Sequence, residues 1–195
     1  MIPVAGRQTA GLLASLKRSW NEEHASQIVE FALSLPVLVL FVVGVFDFSG
    51  ALALKHKLAN AAREGARVAA ADPANDLGNV LPVSVSDAYQ VVDNYLLSEK
   101  INDCGLQGTT PAEAPSLTWT SPALTGCQNN TGLVLTINRG CITTQGSGGT
   151  TVYLVGTCVQ IVYPYIWQFT SAAGLFGGFT GPTNITTTAT AFNEN

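Results

Sequence analysis

An uninterrupted apolar run near the N-terminus constrains the fold of this chain more than any other feature. Residues 28–54, IVEFALSLPVLVLFVVGVFDFSGALAL, are mostly apolar and carry a carboxylate, Glu30, near their start. About 20 consecutive apolar residues are enough to cross a membrane as a helix. A carboxylate in such a helix is costly, and it is therefore usually functional. The run continues without a break to Asp72-Pro73, where the proline disfavours helical geometry in the residue before it. We therefore predict one long helix that crosses a membrane and extends beyond it.

Two residues inside the run help to place it in a membrane. Pro36 lacks a backbone N–H and should kink the helix nearby, which a membrane helix tolerates. Asp47 follows Glu30 by about 17 residues, which corresponds to about 25 Å along a helix and thus to opposite membrane faces. We therefore expect Asp47 to be an interfacial residue that reaches headgroups or water.

Beyond the apolar run, residues 55–71 carry a stripe of small side chains at helical spacing. The stripe forms a packing face that consists of Leu58, Ala61, Ala62, Gly65, Ala66 and Ala69. Small residues allow two helices to approach closely. The partner of this face is either another subunit or the distal part of the same chain, and the sequence allows both. We expect a subunit contact.

The first 25 residues have the composition of a leader. A secretory signal peptide places its apolar core before the cleavage site, whereas here the apolar run follows the candidate site between Ala25 and Ser26. Cleavage there would leave Glu30 as the fifth residue of the mature chain. This arrangement resembles that of a type IV prepilin, although such leaders usually end in Gly rather than in Ala.

Two parts of the sequence resemble the TadE-like family, the minor pilins (pseudopilins) of tight-adherence, or Flp-type, pilus systems. The resemblance is strong over residues 26–71, where VEFALSLPVLVLFVVGVFDF is followed by ANAAREGARVAA. It is moderate over residues 158–195, which contain VQIVYPYIWQF and end in TTTATAFNEN, and it is absent in between.

The resemblance implies a pseudopilin that a prepilin peptidase processes and that helps to assemble, prime or tip a pilus. Its partners would be that peptidase, other pilins or pseudopilins, the pilus assembly platform and the membrane. It would lie in the cytoplasmic membrane as a single-pass protein, or in the pilus, with its C-terminal domain in the periplasm or at the cell surface. Glu30 would serve in assembly by pairing with the new α-amine of Ser26, on its own or a neighbouring subunit, because a carboxylate buried among apolar helices must be neutralised.

The distal region is acidic and holds every cysteine. Residues 72–195 contain two basic against eight acidic side chains, a net charge of −6, which argues against nucleic-acid binding. The four cysteines are Cys104, Cys127, Cys141 and Cys158. They show no CxxC spacing and the two histidines, His24 and His56, are distant in sequence, so we predict disulfides rather than a metal site. Three pairings are open, of which we favour Cys104–Cys127 with Cys141–Cys158.

Periodicity predicts an α+β head after the long helix. Apolar residues recur with helical spacing over residues 87–98, with Ser86 as the N-cap. Alternating residues then predict about four antiparallel strands, over 117–120, 132–138, 151–165 and 184–193, with a hairpin turn at 145–149. The predicted organisation is therefore a leader (1–25), a transmembrane and amphipathic helix (26–72) and an extracytoplasmic head (73–195).

The motifs of known enzymes are missing from the head. Residues 72–195 contain no histidine, no nucleophile elbow and no phosphate-binding loop. We therefore expect neither catalytic activity nor a cofactor. The alternative to a pseudopilin is a membrane-anchored adhesive or ligand-binding protein that does not enter a fibre. Such an anchor would keep residues 1–25, whereas a pilin would lose them.

Overall fold

Two helices and a five-stranded sheet make up the protein. The computed structural model describes residues 9–147, 150–168 and 183–193, with the backbone alone for residues 9–25, 74, 145–147 and 150–152. The helices are α1 (Thr9–Ala71) and α2 (Val83–Ser98), and the strands are β1 (Ala112–Ala114), β2 (Thr118–Thr120), β3 (Val134–Ser147), β4 (Thr150–Pro164) and β5 (Asn184–Phe192). Short turns of 3-10 helix cover Ala74–Asp76 and Gln128–Asn130. The predicted α+β class is confirmed.

Helix α1 has two halves in different surroundings. Within the described residues, the part from Ser26 to Ala71 is the one helix long and apolar enough to cross a membrane. From Ser26 to Phe46 its side chains are exposed almost all round, and they include Phe31, Phe41 and Phe46. From Asp47 onward one face is buried by the head. Helix α1 continues past Pro36, and the kink expected there stays a prediction.

The sheet is an antiparallel meander in which each strand pairs with the next along the chain, in the order β1-β2-β3-β4-β5. Four of its strands match the four that alternation predicts. Strand β1 was missed, because it has only three residues and none of them is buried. At the predicted hairpin turn β3 runs to Ser147 and β4 starts at Thr150, while residues 148 and 149 lie outside the described residues.

The core lies between α1, α2 and one face of the sheet. The packing face of α1 is buried there, with Leu58, Ala61, Ala62, Gly65, Ala66 and Ala69. At Gly65 a Cβ atom would lie 2.6 Å from Val92 Cγ2 of α2 and 3.8 Å from Val159 Cγ1 of β4. The expectation of a subunit contact at this face is therefore wrong, and the second alternative holds. Small side chains are needed here because α2 approaches the α1 backbone itself.

Helix α2 begins at Val83, four residues before the predicted start at residue 87, so Ser86 is not its N-cap. The residue at its N-cap position is Pro82, which supplies no capping side chain. The carboxylate of Asp76 replaces it, since its Oδ2 accepts a hydrogen bond from the backbone N–H of Ser84 at 3.0 Å. An N-terminal N–H of the helix is thus satisfied by a residue eight positions upstream, which a local capping rule does not detect.

A buried arginine joins the C-terminal end of α1 to the sheet. Arg139 lies at a register shift in β3, and its guanidinium donates to the carbonyl oxygen of Asp72 at 2.9 Å and to Thr157 Oγ1 at 3.2 Å. Thr157 donates in turn to Asn193 Oδ1, just beyond β5. A cation at a helix C-terminus is favoured by the exposed carbonyl groups and the helix dipole. This contact fixes where α1 stops against the sheet.

Two disulfides close the loops of the head. Cys104 is bonded to Cys127, and Cys141 to Cys158, which is the sequential pairing that we favoured among the three. The first bond ties the segment after α2 to the segment before β3, and the second joins the neighbouring strands β3 and β4. Each loop closure of this size stabilises the fold by about 2–4 kcal/mol.

Gly65→Leu tests the packing of α1 against α2. The new side chain would collide with Val92, and overpacking of a fitted contact costs about 1–3 kcal/mol. The loss of a helical glycine offsets about 1 kcal/mol of that cost. We expect the melting temperature of the detergent-solubilised full chain, measured by circular dichroism, to fall by several degrees.

Asn60→Leu is the matched control for this experiment. It adds a similar side chain to an exposed position of the same helical segment, and we expect the melting temperature to stay nearly constant. An unchanged melting temperature in Gly65→Leu, together with a loss of crosslinks between subunits, would show that the packing face contacts another subunit.

Candidate membrane and assembly site

The predicted processing and assembly residues lie on the exposed, N-terminal half of α1. Helix α1 runs without interruption through Ala25 and Ser26, so the candidate scissile bond lies within helical backbone. Ser26 and Glu30 are exposed, and Glu30 forms no hydrogen bond or ion pair with any side chain in the described part of the chain. The side chain of Ala25 and the whole of residues 1–8 lie outside the description. The predicted roles of these residues stay predictions.

Asp47 marks the level at which α1 enters the head. Tyr165, just after β4, donates its hydroxyl to Asp47 Oδ1 at 2.9 Å and lies 3.1 Å from the Asp47 carbonyl oxygen. Asp47 is only 7% exposed. The prediction that the Asp47 side chain reaches headgroups or water is therefore wrong, because Tyr165 covers it. Its position at the membrane interface stays a prediction. Gly50, one turn further, leaves room for this contact, since a Cβ atom there would lie 3.4 Å from the tyrosine oxygen.

The environment of Tyr165 keeps its hydroxyl protonated. Burial is the main cause, followed by the hydrogen bond to Asp47 and the negative charge of Asp47, and together they raise the pKa of Tyr165 to about 12. A neutral phenol therefore remains a hydrogen-bond donor across the physiological pH range. The tyrosine ring also meets Trp167 edge to face, with the ring centroids 5.0 Å apart.

Two carboxylates of the head, those of Asp93 and Asp103, lie close together. Burial, the charge of Asp103 and a hydrogen bond with Asp103 raise the pKa of Asp93 on α2. Asp103 accepts hydrogen bonds from the backbone N–H groups of Gly105 and Gln107, so it shapes the loop after α2. Among the described residues, no three His, Cys, Asp or Glu side chains converge as metal ligands would.

Sequence reasoning missed the contacts that join helix and head. Tyr165 and Asp47 are 118 residues apart in the chain, and Arg139 and Asp72 are 67 apart. One signal was present for the first pair, since Asp47 and Tyr165 are both polar groups inside apolar stretches. A single sequence gives no means of pairing such groups, because no local spacing rule links them.

Comparisons with known proteins agree with the sequence resemblance over the N-terminal helix. Residues 25–67 match the model of the family described as TadE-like protein. The match begins at the candidate processing site and covers the exposed half of α1, Asp47 and most of the packing face. It does not extend to residues 158–195, where we also noted a likeness. No curated protein and no solved structure matches the chain. The long N-terminal helix that carries Glu30 and Asp47 is thus TadE-like over residues 25–67.

Proposed function

We propose that this protein is a pseudopilin, a minor pilin that takes part in assembling, priming or tipping a Flp-type pilus after a prepilin peptidase removes residues 1–25. The observation that carries the proposal is the TadE-like helix, whose apolar half is exposed and holds one carboxylate at its start. An exposed apolar surface of this extent requires lipid or other helices around it. A pilin helix meets both in turn, first in the membrane and then in the fibre.

Glu30 is the residue proposed to act when the helix passes from the membrane into the fibre. In a membrane the first turns of the mature helix lie near the headgroups, where a carboxylate remains hydrated. In a bundle of helices the same carboxylate needs a cation, because burial of an unpaired charge costs several kcal/mol. Cleavage after Ala25 creates an α-amine on Ser26, about one helical turn away. An amine of the same or a neighbouring subunit would neutralise Glu30 and set the register of assembly.

The proposed topology places the head outside the cytoplasm. Two disulfides favour an oxidising compartment. The four basic residues that follow the span, Lys55, Lys57, Arg63 and Arg67, suggest the opposite orientation by the positive-inside rule, but three of them have local contacts. Lys57 forms an ion pair with Glu99 at 3.0 Å, Arg63 donates to Asn60 at 3.1 Å, and Arg67 lies 3.7 Å from Glu64. We therefore give the disulfides more weight.

A membrane-anchored adhesive protein is the second candidate, and the hairpin of β3 and β4 favours it. Beyond its pairing with β2 and β5, this hairpin continues as a two-stranded ribbon. Ile142, Tyr153 and Val155 are more than half exposed on it. Ile142 pairs with Val155, and Tyr153 is two residues from Val155 on the same face, so the three form one apolar patch. We propose no catalytic activity for either candidate, since the head sequence has no histidine and no recognised catalytic motif.

The mature N-terminus distinguishes the two candidates. We expect intact-mass analysis of the protein from native membranes to give a chain that begins at Ser26, because the peptidase would cut before the apolar run. A bulky Ala25→Phe should leave the leader in place, and Ala14→Phe, inside the leader, should not. Retention of Met1 in the unaltered protein, with the peptidase active, would favour the anchored adhesive protein.

Glu30→Ala should abolish pilus assembly while insertion into the membrane continues. Removal of the charge makes insertion easier by up to about 3 kcal/mol, so a purely structural role predicts no loss. Piliation is scored by electron microscopy and insertion by the yield in the membrane fraction. Glu23→Ala is the matched control, because that carboxylate leaves with the leader. Normal piliation of the Glu30→Ala strain would exclude the pairing with the amine.

The orientation of the head can be tested through its cysteines. We expect no reactive thiol in denatured, unreduced protein taken from native membranes, since all four cysteines are paired. The same sample after reduction provides the control and should label at every cysteine. Complete labelling without reductant would place the head in the cytoplasm.

A further inference from the structure

One end of the head lies beside Asp47, next to the apolar half of α1. We define this membrane-proximal end as Tyr165, Ile166 and Trp167 together with the loop of residues 126–131. We propose that it rests in the headgroup layer of the membrane, so that phospholipid covers it. The inference rests on the membrane placement of α1 made under "Proposed function". It adds a second contact between the protein and the bilayer, made by the head.

The hydrogen bond between Tyr165 and Asp47 sets the level of this end. Residues 28–47 of α1 have a helical length of about 30 Å, which equals the thickness of the hydrocarbon layer. With Ile28 at the inner boundary, Asp47 lies at the outer boundary. Phe46 and Phe48 flank it and are 75% and 57% exposed. Tyr165 therefore lies where the hydrocarbon ends and the headgroups begin.

The side chains at this end suit the headgroup layer. Tyrosine and tryptophan are the residues enriched at membrane interfaces, because each combines an apolar ring with a polar group. Neither the loop 126–131 nor residues 164–168 contain a charged side chain. The two segments border a cleft of about 290 Å³, which is lined by Asn102, Gln128, Thr131, Tyr163 and Gln168 among others. Amides and hydroxyls can exchange hydrogen bonds with phosphate, ester and glycerol groups.

Lipid is a better occupant than a second protein. A specific protein interface buries more than about 1,000 Å² and has an apolar core. At the membrane-proximal end Ile166, at 38%, is the one large aliphatic side chain exposed within residues 164–168. The exposed apolar surface that adjoins it belongs to the span itself. A bilayer that surrounds the span to the level of Asp47 must meet this end of the head as well.

Tryptophan fluorescence in lipid nanodiscs tests the proposal on the full chain. Trp20 is replaced by phenylalanine, which leaves Trp119, fully buried in the core, and Trp167. The nanodiscs contain phosphatidylcholine brominated either near the headgroup or near the chain end. We expect shallow bromine to remove most of the Trp167 emission and deep bromine to remove much less. The quenched component should disappear in Trp20→Phe/Trp167→Phe, which is the matched control.

A reporter inside the span separates this proposal from the placement of α1. Leu38→Trp, made in the background that lacks Trp20 and Trp167, lies at mid-span on an exposed position and should be quenched best by deep bromine. If that reporter is quenched and Trp167 is not, the contact of the head is overturned and the span stands. If Trp167 is shielded from both bromolipid and acrylamide, protein covers this end and the proposal is wrong. If neither tryptophan responds to bromine, the membrane placement itself fails.

Discussion

Helix α1 is exposed and apolar in its first half and packs against the head in its second half. The arrangement of the other elements depends on where, at Asp47, the first half gives way to the second. Before that residue the side chains are large and apolar on every side, as a helix surrounded by lipid or by other helices requires. After it, the packing face carries alanine and glycine apart from Leu58, and the opposite side of the helix carries Lys57, Arg63 and Arg67. The helix is continuous, so the position of the head relative to the apolar half of α1 is fixed by where this change occurs.

The head compensates for its small size by close approach and by covalent links. Because the packing face of α1 has so little side-chain volume, α2 and β4 pack against the helix backbone, and Val92 lies where the Cβ of a larger residue at position 65 would be. Close packing of this kind depends on exact placement of the elements. Arg139 fixes the end of α1, Tyr165 fixes its entry into the head, and two disulfides restrain the loops between. Helix and head therefore form one unit.

Sequence patterns were sufficient where the determinant is local. The long helix, α2 and four strands follow from apolar periodicity, and the end of α1 follows from Asp72-Pro73. Sequence patterns failed where a residue distant in sequence determines where an element begins or whether it forms. Asp76 starts α2 before the predicted Ser86, and β1 exists through its pairing with β2 alone. The sequence also could not identify the partner of the packing face, because small residues permit close approach equally to another subunit and to the same chain.

The burial of the packing face limits where partners can bind. Leu58, Ala61 and Ala66 are inside the head, so they are not available to a second subunit unless the head opens. The apolar surface of α1 that is left for contacts between helices is the half between Ser26 and Phe46. Glu30 is the one acidic side chain on that half, and the sequence places no basic residue there. A cation that neutralises Glu30 in a helical bundle must therefore come from outside this segment's side chains. Under the proposed processing, the α-amine of Ser26 would supply that charge about one helical turn from Glu30.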